Sequence, residues 1–261
     1  MEQVVLTPGG MMPAAPHYQP LLQRLGRDVR PLLKDFELYT HEDVPVNYTL
    51  KTEVEDLLLA VDDVGFGRFH LVGYSTCLPL AFVAAYPDRV RSLTMIEPGM
   101  IGRGSFAPAD MIAAHHARIA LPPQQMMAAM QQSMLAPGVT LPPPPPPEGP
   151  PPPWMAQRLK LGPALIGAVL GYDLDETALT RYEGSVLVAV GSLGHPSLVN
   201  LADKVAAAFP NGRVVKYVGR YHLDPIHRAQ PERFAADLRV LWQDARVAAR
   251  TQDTASTRPG R

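Results

Sequence analysis

Gly73-Tyr74-Ser75-Thr76-Cys77 sets a serine between an apolar run, Arg68 to Tyr74 (RFHLVGY), and a stretch of helical spacing, Thr76 to Tyr86, closed by Pro87. A serine on a sharp strand-to-helix turn can be a nucleophile. Its Oγ projects beyond the edge of the sheet, and the amino end of the helix favours negative charge forming there. The turn is tight, so small residues must stand two places before and two places after the serine. Gly73 fills the first place. Cys77 stands in the second, where another glycine is usual, and is expected to crowd the helix against the neighbouring strand. The same sequence also suits an ordinary turn in which the serine caps the helix. A serine at neutral pH is a poor nucleophile, so the first reading requires a base within hydrogen-bond reach and a third group to orient that base.

The elements that must position such a site can be read along the chain. Gln3 to Thr7 is a β-branched apolar run stopped by Pro8-Gly9-Gly10, which suits a buried strand entering a tight loop. Tyr18 to Leu25 has helical spacing, and Phe36 to Tyr39 is a candidate second strand. Leu50 to Val64 reads as an amphipathic helix ended by Gly65 and Gly67. After the Ser75 turn, Val90 to Glu97 (VRSLTMIE) is a strand. The regularity then breaks until about Asp175. Beyond it come a strand (Ser185 to Val190), a helix (Leu198 to Phe209), a strand (Arg213 to Val218) and a helix (Pro231 to Val247). Strands alternating with helices imply a parallel sheet. The expected organisation is a core of residues 1–98 and 176–250, an insertion of residues 99–175, and a polar, flexible tail of residues 251–261.

Three segments carry a resemblance. Phe69 to Pro98 resembles the elbow, following helix and next strand of the α/β-hydrolase superfamily. Val4 to Met11 (VVLTPGGM) resembles its first loop, with Pro8 where histidine is common. Val214 to Trp242 resembles its closing strand, histidine loop and last helix. The resemblance implies the α/β-hydrolase fold, here with a mostly parallel sheet of about six strands, because the chain begins at the strand before that loop, where the superfamily commonly has a hairpin. A homodimer is one way to cover the shortened edge. It also implies His222 as the base, with His227 in the same loop as runner-up. The usual acid position follows the strand that ends at Val190, but Gly191-Ser192-Leu193-Gly194-His195 contains no carboxylate. Some members, haloalkane dehalogenases among them, carry the acid at the strand end after the elbow helix. Glu97 stands there, and a glutamate closing an apolar strand is costly to bury without a partner. A capping or loop-pairing carboxylate is the other reading of Glu97, and Asp224 is a weaker candidate acid. The oxyanion hole needs two backbone N–H groups, expected from Thr76 and from Gly10 or Met11.

Seven of the eleven methionines lie between Met100 and Met155. Methionine fills irregular apolar surfaces and adapts to varied ligands. The insertion therefore reads as a helical, Pro- and Met-rich lid over an apolar pocket, with Tyr74, Met100, Met126 and Met130 as expected substrate contacts. Packing of lid helices explains any single methionine equally well. His115-His116 are candidate substrate contacts or surface histidines. Leu141 to Trp154 (LPPPPPPEGPPPPW) is expected to be polyproline II, read as a stiff spacer in preference to a ligand for proline-binding domains.

Composition narrows the function. The 261 residues carry a net charge of −1, with 46% apolar and 19% charged residues. That balance offers no pull on nucleic acid. The single cysteine excludes an internal disulfide, and no Cys/His cluster points to a structural metal. No secretory leader and no membrane-length apolar run is visible, so a cytoplasmic protein is expected. The leading expectation is a cofactor-free serine hydrolase of a carboxylic ester or thioester of a small hydrophobic substrate. A lyase or cyclase on the same fold, needing His222 more than Ser75, comes second, and a non-catalytic ligand-binding protein third. A dehalogenase is disfavoured because that chemistry uses a carboxylate nucleophile where Ser75 stands.

Overall fold

In the computed structural model the strands are β1 (Glu2–Thr7), β2 (Val29–Leu33), β3 (Phe69–Thr76), β4 (Val90–Met100), β5 (Ser185–Gly191) and β6 (Gly212–Tyr217). All pair in parallel, in the order β2-β1-β3-β4-β5-β6. The structure describes residues 1–104, 106, 112–113, 116–117, 120–141 and 149–256. The main helices are α1 (Ala14–Leu25), α2 (Leu50–Asp63), α3 (Leu78–Ala85), α4 (Pro123–Met134), α5 (Pro153–Leu170), α6 (Glu176–Thr180), α7 (Pro196–Ala207), α8 (Ile226–Ala229) and α9 (Pro231–Ser256).

Each face of the sheet is sealed by its own apolar layer, as an all-parallel sheet demands. Leu57, Phe82, Leu201 and Val205 pack on one face, beneath α2, α3 and α7. Tyr18, Leu21, Phe234, Leu238 and Trp242 pack on the other, beneath α1 and α9. The chain winds from β1 outward to β2, then crosses back to β3 on the other side of β1. Such a reversal opens a crevice at the carboxyl ends of the two strands, where α/β sheets bind ligands. Here those ends are Thr7-Pro8-Gly9-Gly10 and Ser75.

The expected second strand is corrected. Phe36 lies outside any strand and Glu37–Thr40 forms a 3₁₀ turn, while the strand is Val29–Leu33. Pro31 hides it from sequence reading, because proline cannot donate to a ladder; on the edge strand it need not. The last helix also runs on to Ser256, into the segment expected to be a tail, and residues 257–261 lie outside the described ones. So do residues 142–148 of the polyproline run and His115. His116 is exposed.

The insertion between β4 and β5 holds α4 and α5. The end of α4 docks on the loop after β5, where His195 N–H donates to the Met134 carbonyl and Ala136 N–H to that of Leu193. No helix among the described residues is long and apolar enough to cross a membrane.

Candidate active site

Gly73 makes the turn at Ser75 possible. A Cβ there would lie 2.1 Å from Pro79 Cγ and 3.0 Å from Thr7 Oγ1, so only glycine lets the start of α3 close over β3. Ser75 itself is held at a φ of 71°. A non-glycine residue pays about 1–3 kcal/mol for such a conformation and keeps it only where its surroundings enforce it. Cys77 is fully buried, its thiol pushed up to about 12 by burial while it accepts a hydrogen bond from the Gly102 backbone.

The loop after β6 brings His222 to this serine. Ser75 Oγ lies 3.1 Å from His222 Nε2, and both residues are buried. Burial lowers the imidazole to about 4, so it is neutral and able to accept a proton at pH 7. Tyr74 anchors the histidine from below, its hydroxyl donating to the His222 carbonyl. Gly99 makes room for the ring, since a Cβ there would stand 2.6 Å from His222 Cε1. His227 is elsewhere: its Nε2 is 2.8 Å from His17 Nε2, in a buried group with Tyr18 and Tyr74.

Glu97 lies at the carboxyl end of β4. It is 2% exposed, has a φ of 49°, and its Oε1 accepts a 2.7 Å hydrogen bond from Gly191 N–H. Gly191 is also where the histidine loop passes over β5, for a Cβ there would meet the Arg220 carbonyl oxygen at 2.0 Å and Tyr221 N at 2.5 Å. The place where a carboxylate was sought after β5 is thus taken by backbone, and its N–H holds a carboxylate from the strand next door. Glu97 Oε2 and His222 Nδ1 are both buried, and among the described residues neither has a hydrogen-bond partner. Burial pushes the Glu97 carboxyl up to about 7, against the pull of the Gly191 N–H. Asp224 instead pairs with Arg220.

Opposite Ser75 stands the loop after β1. A Cβ on Gly9 would lie 2.8 Å from the Tyr74 ring and 3.3 Å from Ser75 Cβ, so only glycine lets this loop lie so close to the side chains of Tyr74 and Ser75. The Gly10 carbonyl accepts from Tyr39 Oη, on the Glu37–Thr40 turn, at 2.6 Å and from Arg158, on α5 of the insertion, at 3.4 Å. Met11 is partly exposed. Met130 is half-buried on α4, and the side chains of Met100 and Met126 lie outside the described ones. One turn of α4 reaches the site by another residue, Gln131, which hydrogen-bonds the Tyr221 hydroxyl next to His222. Sequence reading passed over Arg158, Tyr39 and Gln131. Their partners lie far off in the chain, and no local motif announces them.

No protein-family model matches the chain, and no curated protein matches it in sequence. Solved structures match in fold. A lipase of Acinetobacter baumannii, described as putative, is 13% identical with a TM-score of 0.68, covering 95% of this chain and 85% of its own. An esterase of Thermogutta terrifontis, solved with malate bound, is 15% identical with a TM-score of 0.67, covering 94% and 90%. A carboxylesterase of Bacillus subtilis is 16% identical with a TM-score of 0.61, covering 91% and 82%. The fold of this chain is therefore the α/β-hydrolase fold, as the motifs implied.

Proposed function

We propose that the protein is a serine hydrolase acting on a carboxylic ester or thioester with apolar acyl or alcohol parts. The observation that carries this reading is Ser75 Oγ, 3.1 Å from a neutral, buried His222 Nε2, on a turn that forces the serine to a positive φ. His222 Nε2 takes the hydroxyl proton as Ser75 Oγ attacks the carbonyl carbon. Glu97, held by Gly191, orients the imidazole through Nδ1 and offsets the charge it gains. The oxyanion is met by Thr76 N–H and by Met11 N–H. Collapse of the tetrahedral intermediate expels the alcohol or thiol, which takes the proton from Nε2. Water then repeats the sequence on the acyl-serine and releases the carboxylic acid, with no cofactor. That neighbours of the same fold are named esterase, lipase and carboxylesterase favours an ester.

The experiment is labelling with a fluorophosphonate probe, comparing wild type with Ser75→Ala and His222→Ala. Labelling of wild type that is lost in both variants supports an activated serine. A folded wild-type protein that takes no label removes the reading and leaves Ser75 as a turn residue.

A further inference from the structure

Arg158 lies on α5, in the insertion, yet is only 3% exposed. A buried guanidinium is costly unless its donors are used. These are used on the oxyanion loop and its support. One amino group donates to Asp35 Oδ1 at 2.8 Å, the other to the Gly10 carbonyl at 3.4 Å, and the guanidinium carbon sits 4.1 Å over the Tyr39 ring. Tyr39 donates to the same Gly10 carbonyl, and Asp35 Oδ1 also accepts the Ala14 N–H at the start of α1. Both lone pairs of the Gly10 oxygen are therefore occupied, one by the Glu37–Thr40 turn and one by the insertion.

That fixes a peptide plane. Among the described residues no peptide bond is cis, so the Met11 N–H points away from the Gly10 carbonyl. With the carbonyl held by Tyr39 and Arg158, the N–H is turned to the opposite side of the peptide, and the neighbouring Gly9 packs close to the Ser75 side chain. Pro8-Gly9-Gly10 lacks the side chains that would hold this orientation by itself. We propose that Arg158 and Tyr39 are positioning residues that hold the Gly10–Met11 peptide in its oxyanion-binding orientation, so that turnover requires α5 to be docked on the core. The proposal rests on the serine-hydrolase reading.

The test uses Tyr39→Phe, Arg158→Met and Arg158→Lys, with p-nitrophenyl butyrate turnover, the Ki of an alkyl trifluoromethyl ketone and the fluorophosphonate labelling of wild type. Removing a donor that fixes the hole, without being one of its N–H groups, is expected to lower kcat about tenfold in Tyr39→Phe and up to about 10²-fold in Arg158→Met, with KM within about twofold. The ketone, which forms an oxyanion on the serine, is expected to lose affinity in step with kcat, and lysine is expected to restore part of both. Unchanged kcat and Ki in folded Tyr39→Phe overturn the proposal, whether or not Arg158→Met folds. Absence of labelling in wild type overturns the hydrolase reading instead.

Discussion

Ser75, His222 and Glu97 stand at the carboxyl end of the sheet, and Ser92, His70 and Glu2 stand near its amino end. Both groups have the composition of a triad, and by hydrogen bonds alone the second is the better connected. Ser92 Oγ is 2.7 Å from His70 Nδ1, His70 Nε2 is 3.2 Å from Glu2 Oε2, and Glu2 is held in turn by Arg246 at 2.9 Å. His70 is also stacked on Trp242 at 5.1 Å. At the other end, Nδ1 of the histidine and one oxygen of the glutamate have no partner among the described residues, and serine and glutamate both have positive φ. Ser92 is fully buried within β4, paired with His70 in the ladder with β3 just past a shift in register. A group whose valences are all spent is a piece of core. Unspent valences and strained backbone, beside the crevice at the switch point of the sheet, are what the proposed reading needs of a group that meets a substrate.

The sharpest way to break this contrast is to exchange the serines' fates. Ser75→Ala or His222→Ala is expected to lower ester turnover by about 10³-fold or more, since the two act as a unit. Ser92→Ala is expected to leave turnover within about twofold. Steady-state kinetics on the three variants checks this, and turnover that survives in Ser75→Ala but falls in Ser92→Ala reverses the assignment.

Glu97→Gln is next in size. Glutamine keeps the bond to Gly191 but cannot carry the charge that steadies imidazolium, so kcat/KM is expected to fall about 10²-fold. The same change should stabilise the protein. The carboxyl titrates at 4.5 when unperturbed and at about 7 in the fold, so the native state loses stability as pH rises from 4.5 through 7. Glutamine recovers at most about 3 kcal/mol above pH 7 and nothing below pH 4.5, which denaturant melts at the two pH values measure. In wild type, kcat/KM is expected to rise with pH through about 7, as Glu97 ionises. A limb near 4, where His222 titrates, would mean that Glu97 takes no part.

What sequence could and could not show follows the same division. Ser75, its strand and its helix lie within twenty residues of one another and obey local rules of turn and period, so they were legible. His222 and Glu97 could be placed only by likeness to a fold, because 147 residues separate Ser75 from His222. Arg158 and Tyr39 left no sign, since a lone arginine in an amphipathic helix reads as a solvent contact until α5 is seen lying on Gly10. Pro31 misled in a specific way: it argues against a strand unless the strand is known to be an edge. The Ser92 group was equally invisible, and a search by residue type alone would have ranked it with the Ser75 group.

Ser92→Ala carries the smallest effect and tests the contrast from its quiet side. The alanine leaves His70 Nδ1 buried without its hydroxyl donor, which is expected to cost about 1–2 kcal/mol of stability. Burial, opposed by Glu2, lowers His70 to about 4 from 6.5, so the fold loses stability from this group as pH falls from 6.5 to 4. Ser92 donates to the neutral ring, and removing it makes protonation easier. The deficit of Ser92→Ala relative to wild type should therefore be largest near pH 8 and shrink toward pH 4. Chemical denaturation of the two proteins across that range measures it. A deficit that does not change with pH would show that Ser92 supports the strand by packing, without its hydrogen bond to His70.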